Sequence, residues 1–158
     1  MISWKQVQAF LQRLNQRHLA FQFRLPSEAE WEYACRAGTT TPFHYGEETK
    51  PSMVNCWEQA PRDERGRRQK SRSVDVGSFE PNAWGLYDMH GSLWEWCADG
   101  YSRYPTNDVV DPCRQGKERV VRGGSWRWPL LGCRSAVRAK RNPGYSHNHH
   151  GFRVVASR

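Results

Sequence analysis

"NAWGLYDMHGSLWEW" (82–96) packs three of the chain's eight Trp residues, two Gly and two carboxylates into fifteen positions. The Trp side chains supply core mass, and Gly85 and Gly91 permit tight backbone turns. Asp88 and Glu95 are close enough in sequence to share a cation. Without a cation, Asp88 caps a turn and Glu95 pairs with an Arg. The run closes on "SLWEWCAD" (92–99), which reads as a sheet strand.

Upstream lie two helices. "SWKQVQAFLQRLNQRH" opens on a capping box of Ser3 with Gln6 and places Val7, Phe10, Leu11 and Leu14 on one stripe. "RLPSEAEWEYACRAG" repeats the logic, with Ser27 as N-cap, Glu30 closing the box, Trp31, Ala34 and Cys35 on one face, and Gly38 ending the helix. From Gly38 onward, turn punctuation such as "TTTPF", "EPNAWG", "YPTND", "DPC" and "RNPGY" separates short apolar pieces. Besides 92–99, the predicted strands are "RVVRGG" (119–124), "CRSAVR" (133–138) and "GFRVVA" (151–156). Two helices with a small antiparallel sheet and long irregular loops define an α+β fold.

The 158 residues fit one compact domain. Only 37% are apolar but 13% are aromatic, so the core is built from few, large side chains. A net charge of +8, carried mostly by Arg, favours acidic partners. The Arg residues are nevertheless scattered, with one dense run, "RDERGRRQKSR" (62–72), which argues for a solvated loop over a nucleic-acid surface. Five cysteines (Cys35, Cys56, Cys97, Cys113, Cys133) are an odd number without a CxxC pair, which excludes a complete disulfide framework. No apolar run reaches the length of a membrane span, and "MISWKQVQAF" lacks a signal-peptide core, so a reducing cytoplasm is the default compartment.

Four ordered stretches, "RLPSEAEWEYACRAG" (24–38), "NAWGLYDMHGSLWEW" (82–96), "RVVRGGSW" (119–126) and "CRSAVR" with "GFRVV" (133–138, 151–155), strongly resemble the formylglycine-generating enzyme, or sulfatase-modifying factor, family. The resemblance runs from Ser3 to Val155 and implies a C-type-lectin-like fold. Members usually carry a further portion ahead of the stretch that here reads "ISWKQVQAFLQRLN"; its absence implies a reduced sheet or an open edge for a partner chain to cover. The resemblance also implies a structural Ca2+ held by the side chain of Asp88, the carbonyls of Gly91 and Leu93, and the carboxylate of Glu95. A second family calcium site would start at Asn55 and the carbonyl of Cys56, with Asp63 or Glu64 as its acidic partner.

Enzymes of the family use two cysteines, five positions apart after R-G-G-S, to bind Cu(I) and activate oxygen, since soft thiolates suit that ion. Carried onto this chain, the second falls on Cys133 and the first on Trp128, so no copper is expected. Cys133 keeps a catalytic role only under the alternative of an oxidoreductase working with a second subunit. The "HNHH" run (147–150) offers imidazoles to a metal, but ligands so crowded in sequence rarely face one ion, and an exposed loop is the simpler reading.

A noncatalytic group of the same fold, the variable proteins of diversity-generating retroelements, gives a better account. In those proteins R-G-G-S-W and G-F-R-V bracket a diversified segment, and here "RGGSW" and "GFRVV" bracket residues 127–150. Adenine-directed change of AAY codons reaches Arg127, Leu130, Leu131, Gly132, Val137, Ala139, Tyr145, Ser146, His147, His149 and His150, although not Trp128 or Lys140. The segment also suits recognition, because Trp, Tyr and Arg dominate binding hot spots while Ser, Asn and His give adaptable hydrogen bonds. The expected ligand-binding residues are Arg127, Trp128, Leu130, Leu131, Val137, Ala139, Lys140, Tyr145, Ser146, His147, Asn148 and His149. The expected ligand is a protein or other macromolecule. A subunit completed by a partner chain is the remaining alternative.

Overall fold

A computed structural model describes residues 1–49, 52–60, 62–67, 72–104 and 115–158. Helix α1 (Trp4–Arg17) starts where the capping box predicts: Ser3 Oγ accepts the Gln6 N–H, and the Gln6 side chain accepts the Ser3 N–H at 2.9 Å. Helix α2 (Glu28–Arg36) has the same device, with Ser27 N–H donating to Glu30 at 2.8 Å and Glu30 N–H to Ser27 Oγ at 3.2 Å. Arg24 grips both oxygens of Glu30 at 2.6 Å and holds that carboxyl down at about 2. Gly38, at φ +92°, sits just past the end of α2 in the left-handed region that Gly alone enters freely.

The strands are β1 (Gln22–Arg24), β2 (Trp94–Gly100), β3 (Arg119–Arg122), β4 (Ala139–Arg141), β5 (His150–Gly151) and β6 (Val155–Ser157). β1 pairs antiparallel with β6, and the other four form a sheet in the order β4-β3-β2-β5. Glu95 lies opposite Arg122 and Trp96 opposite Val121; the register then shifts before Gly100 meets Arg119. Among the described residues the sheet is open, with β4 and β5 at its edges. This is the expected α+β architecture of two helices and a small sheet among loops.

Two predicted strands are redistributed. Residues 133–138 form no strand: Leu130–Cys133 is a 3-10 turn, Ser135 N–H donates to the Pro42 carbonyl at 2.8 Å, and Val137 N–H closes a turn on Arg134. Pairing with β3 begins only at Ala139. Residues 151–156 split into β5 and β6, because Phe152 turns edge-on to Phe10 (5.6 Å) and Arg153 turns to Glu95.

The chain divides into two compact units. The first comprises Met1–Trp31, Glu95–Arg122 and Arg138–Arg158. Its core holds Val7, Leu11, Leu25, Trp31, Trp96, Cys97, Val120 and Val121, all buried. Embedded in it is an ionic group: the buried Glu28 carboxylate takes a forked contact from Arg138 and a 3.5 Å contact from the fully buried Arg122, while Glu28 N–H donates to Asp99. Breaking one partner out of such a group strands the other's charge, which ties α2 to the sheet.

The second unit comprises Glu32–Trp94 and Gly123–Val137. It is mostly loop, organised by Cys35, Phe43, Val54, Cys56, Met89, Trp94 and Cys133. Asn82 substitutes for regular structure: its amide donates to the Ala34 carbonyl at 2.7 Å, and its side-chain oxygen accepts N–H groups of Trp84 and Leu86. Cys35, Cys56, Cys97 and Cys133 are buried and form no disulfide among the described residues; Cys113, the "DPC" turn, "YPTND" after Tyr104, and part of the 62–72 run lie outside the described residues.

Candidate ligand-binding surface

The loop that follows β3 is held from beneath. Gly124, at φ +79°, lies so close to Cys133 that a Cβ there would meet its Sγ at 2.5 Å, so only Gly lets this thiol fill the space. Trp126 N–H donates to the Ser92 carbonyl (3.0 Å), Trp128 N–H to Ser125 (2.8 Å), and the Trp128 carbonyl accepts Trp57 N–H (3.0 Å). Glu58 accepts Leu130 N–H at 2.7 Å. The path of the 125–133 backbone is thus fixed by groups other than its own exposed side chains.

On that frame Arg127 is exposed, Trp128 is 37% exposed and Leu131 69%. The Trp128 indole stands edge-on to buried Trp94, with centroids 5.8 Å apart at 78°, and covers Gly132. Leu130 points the other way, into the apolar cluster of Phe43, Val54, Cys56 and Cys133. Val137 is half-buried. Of the five predicted residues in this unit, Arg127, Trp128 and Leu131 therefore present side chains outward, while Leu130 serves the core.

The other predicted residues belong to the first unit. Lys140, on edge strand β4, is exposed and pairs with Glu118 at 2.6 Å; Ala139 is half-buried. Beyond β4, Asn142 accepts N–H groups of Gly144 and Tyr145, and the Pro143 carbonyl accepts Lys5 N–H. Rings then descend inward: Tyr145 stacks parallel to His147 and edge-on to His150, His149 lies 4.1 Å from His147 and 4.6 Å from His150, and His150 packs 5.5 Å from Trp96. Tyr145, Ser146 and Asn148 are exposed and His147 is half-buried. His149, by contrast, is buried at 6% exposure, inside the loop. Burial, with His149, Arg141 and His147 around it, pushes His150 down to about 3.

Cys133 is fully buried, and burial pushes its thiol up to about 12. A nucleophilic or metal-binding cysteine needs the thiolate, which this site disfavours by several orders of magnitude at neutral pH. Five positions earlier stands the Trp128 indole, which has no thiolate to offer. The two-thiolate chemistry expected of the family's enzymes is therefore not built at Trp128 and Cys133. Beside Cys133 lies buried His90, whose Nδ1 donates to the Cys133 carbonyl at 2.8 Å and whose Nε2 accepts His44 N–H at 3.1 Å. Both ring nitrogens are used by a neutral imidazole, and burial lowers its pKa to about 4.

Of the expected calcium ligands, Glu95 is engaged on both oxygens and Asp88 on one. Glu95 receives Arg153 on both oxygens (2.5 and 2.8 Å) and the Trp31 indole N–H at 2.6 Å. Asp88, at φ +55°, accepts Gly77 N–H at 2.6 Å, and its other oxygen is buried with no hydrogen-bond partner among the described residues. A cation at Glu95 would have to displace or share the Arg153 guanidinium. Gly91 is required by packing, since a Cβ there would strike the Asn55 carbonyl. At the second expected calcium site, Asn55 donates to the Arg72 carbonyl and Asp63 pairs with Arg67 at 2.9 Å. Sequence reading missed Glu58 and Ser125, which set the 125–133 backbone, and His90, whose "MHG" context gives no sign of its long-range partners.

Residues 1–158 match the "Sulfatase-modifying factor enzyme 1-like domain", and the chain belongs to that family. It is 33% identical over 166 residues to the formylglycine-generating enzyme of Streptomyces coelicolor, covering 98% of this chain and 51% of that protein. It is 34% identical over 144 residues to the mouse formylglycine-generating enzyme, covering 84% of this chain and 39% of the mouse protein. The chain thus spans about half or less of these curated relatives. In structure it is similar to Treponema denticola variable protein 1, with a TM-score of 0.82, 25% identity, and coverage of 97% of this chain and 68% of that one. No helix among the described residues is long and apolar enough to cross a membrane.

Proposed function

We propose that this protein is a noncatalytic binding module whose residues after "RGGSW" form a variable recognition surface on a fixed scaffold, as in the variable proteins of diversity-generating retroelements. The observation that carries the reading is the separation of roles around Trp128. The backbone from Ser125 to Cys133 is held by Ser92, Trp57, Glu58 and the buried Cys133, while Arg127, Trp128 and Leu131 project outward. Side chains placed as Arg127 and Leu131 are can change with little cost to the fold, which is what a diversified surface requires, while Trp128 varies within large apolar and aromatic types. The similarity to Treponema denticola variable protein 1 supports the same reading.

The ligand is a protein or another macromolecule. A projecting indole flanked by Arg and Leu suits a partner surface that buries aromatic and guanidinium anchors. Tyr145, Ser146 and Asn148 supply a second group of outward side chains. An enzyme of the Cu(I) type is disfavoured by the buried, protonated Cys133 and by Trp128 in the place of its partner. Sequencing the genomic DNA around the coding region tests the proposal. A reverse transcriptase gene and a near-copy of the codons for 127–150 that differs at adenines would uphold it; neighbouring DNA without either would remove the retroelement assignment.

A further inference from the structure

We propose that the second unit carries a separate binding site for an organic ammonium ion, in a cavity that plays no part in the surface described above. The cavity, about 780 Å3, is lined by His44 and Tyr45 from one loop, Ser52 and Met53, and the segment Gly77–Pro81 with Ala83 and Tyr87. Its size is that of ordinary small-ligand sites, which span roughly 300–1,000 Å3.

Charge selects the ligand. The chain carries 24 Lys and Arg against 16 Asp and Glu, yet residues 37–49 contain Glu47 and Glu48 with no Lys or Arg, and residues 73–94 contain Asp75, Glu80 and Asp88 with none. Among the described residues lining the cavity, Glu80 brings the one carboxylate, and there is no Lys or Arg. His44 stays neutral because burial lowers its pKa. Arg36, before the first of these stretches, is held by Glu32 at 2.8 Å and donates to the Thr41 carbonyl. In a protein of net charge +8, these two stretches carry acidic side chains alone, bounded by Lys50 and Arg72, and Glu80 brings one carboxylate to the cavity wall.

The walls suit a cation with an apolar stem. Tyr45, Phe79 and Tyr87 offer aromatic faces, which attract ammonium groups, and Met53 and Pro81 offer apolar contact. The wall is held in place: Tyr45 stacks on buried Phe43 at 5.2 Å and 3°, and His44 stacks on buried His90 at 5.1 Å and 18°. Glu80 is exposed and makes no ion pair among the described residues, so an entering ammonium group reaches a hydrated carboxylate. The same chemistry is presented by a free alkylamine and by a lysine side chain of a peptide.

The test is an amide NMR titration of the whole chain with pentylammonium chloride, with 1-pentanol as the neutral isostere. Saturable shifts confined to His44–Gly46 and Gly77–Tyr87, at least tenfold weaker with pentanol and at least tenfold weaker in Glu80→Gln, are expected. Tyr87→Ala, with an unchanged melting curve, is expected to weaken binding severalfold and separates the aromatic contribution from the charge. Equal binding of pentanol, unchanged binding in Glu80→Gln, or shifts elsewhere in the chain would overturn the proposal. Acetyl-Gly-Lys-Gly-amide and its lysine-acetylated counterpart distinguish the sources: a tenfold gain over pentylammonium that acetylation abolishes identifies a peptide lysine, and no gain identifies a free amine. Because the readout lies outside 127–150, failure here leaves the recognition-surface reading untouched.

Discussion

Trp128 covers Gly132: a Cβ added at Gly132 would run into the indole's Cδ1, with Nε1 at 2.8 Å. The loop closes because the larger residue rests on one with no side chain. Gly132→Ala therefore forces the indole off its seat, and we predict a loss of about 1–3 kcal/mol, the usual range for overpacking. Urea unfolding of the variant and the parent measures it; an unchanged midpoint would show that Trp128 is not seated there.

The Cys133 thiol, buried and raised to about 12, is predicted to resist chemistry. Iodoacetamide at pH 8 should leave it unmodified in the folded protein over hours and alkylate it within minutes after denaturation, as peptide mass mapping would reveal. Rapid native alkylation, or tight stoichiometric Cu(I) binding lost in Cys133→Ala, would revive the oxidoreductase reading.

Acid is predicted to destabilise the fold through buried imidazoles. His90 is lowered from 6.5 to about 4 and His150 from 6.5 to about 3, so between those values and 6.5 the unfolded chain holds more protons. Their contribution is complete above pH 6.5 and is lost as pH falls through the folded values. For His90 alone the loss is on the order of 3 kcal/mol. Urea midpoints from pH 7 to pH 4 should fall accordingly, and His150→Leu should flatten part of the slope; a midpoint that stays level across that range contradicts the burial of these rings.

Calcium is predicted to leave stability unchanged. Arg153 already occupies both oxygens of Glu95, so neither EDTA nor millimolar Ca2+ should move the melting temperature. A rise of several degrees with Ca2+ would mean that Glu95 exchanges its guanidinium for the ion.

Local chemistry made the helices legible. Ser3 with Gln6 and Ser27 with Glu30 cap by contacts three residues apart, which a sequence displays directly. Trp94 and Trp96 were readable as core from the "SLWEW" alternation, and both are fully buried. Partners distant in sequence decided the rest. Ser135 is taken by Pro42, and Phe152 and Arg153 by Phe10 and Glu95, which broke two predicted strands that looked regular in isolation. The outward residues Arg127, Trp128 and Leu131 fall within the predicted segment, but periodicity could not distinguish them from the inward Leu130 and His149. The cavity escaped because its lining comes from segments some thirty positions apart, although the absence of Lys and Arg from 73–94 was visible throughout.

The most direct measurement is a saturation substitution scan of residues 123–151 on a display platform, sorting for folded protein without any ligand. The account predicts that Arg127, Leu131, Tyr145, Ser146 and Asn148 tolerate most side chains, whereas Gly124, Gly132, Cys133, Ser135 and His150 tolerate few. Trp128, seated on Trp94 and Gly132 yet 37% exposed, should tolerate large apolar and aromatic replacements. Uniform intolerance at Arg127, Leu131, Tyr145, Ser146 and Asn148 would contradict a variable surface on a fixed scaffold.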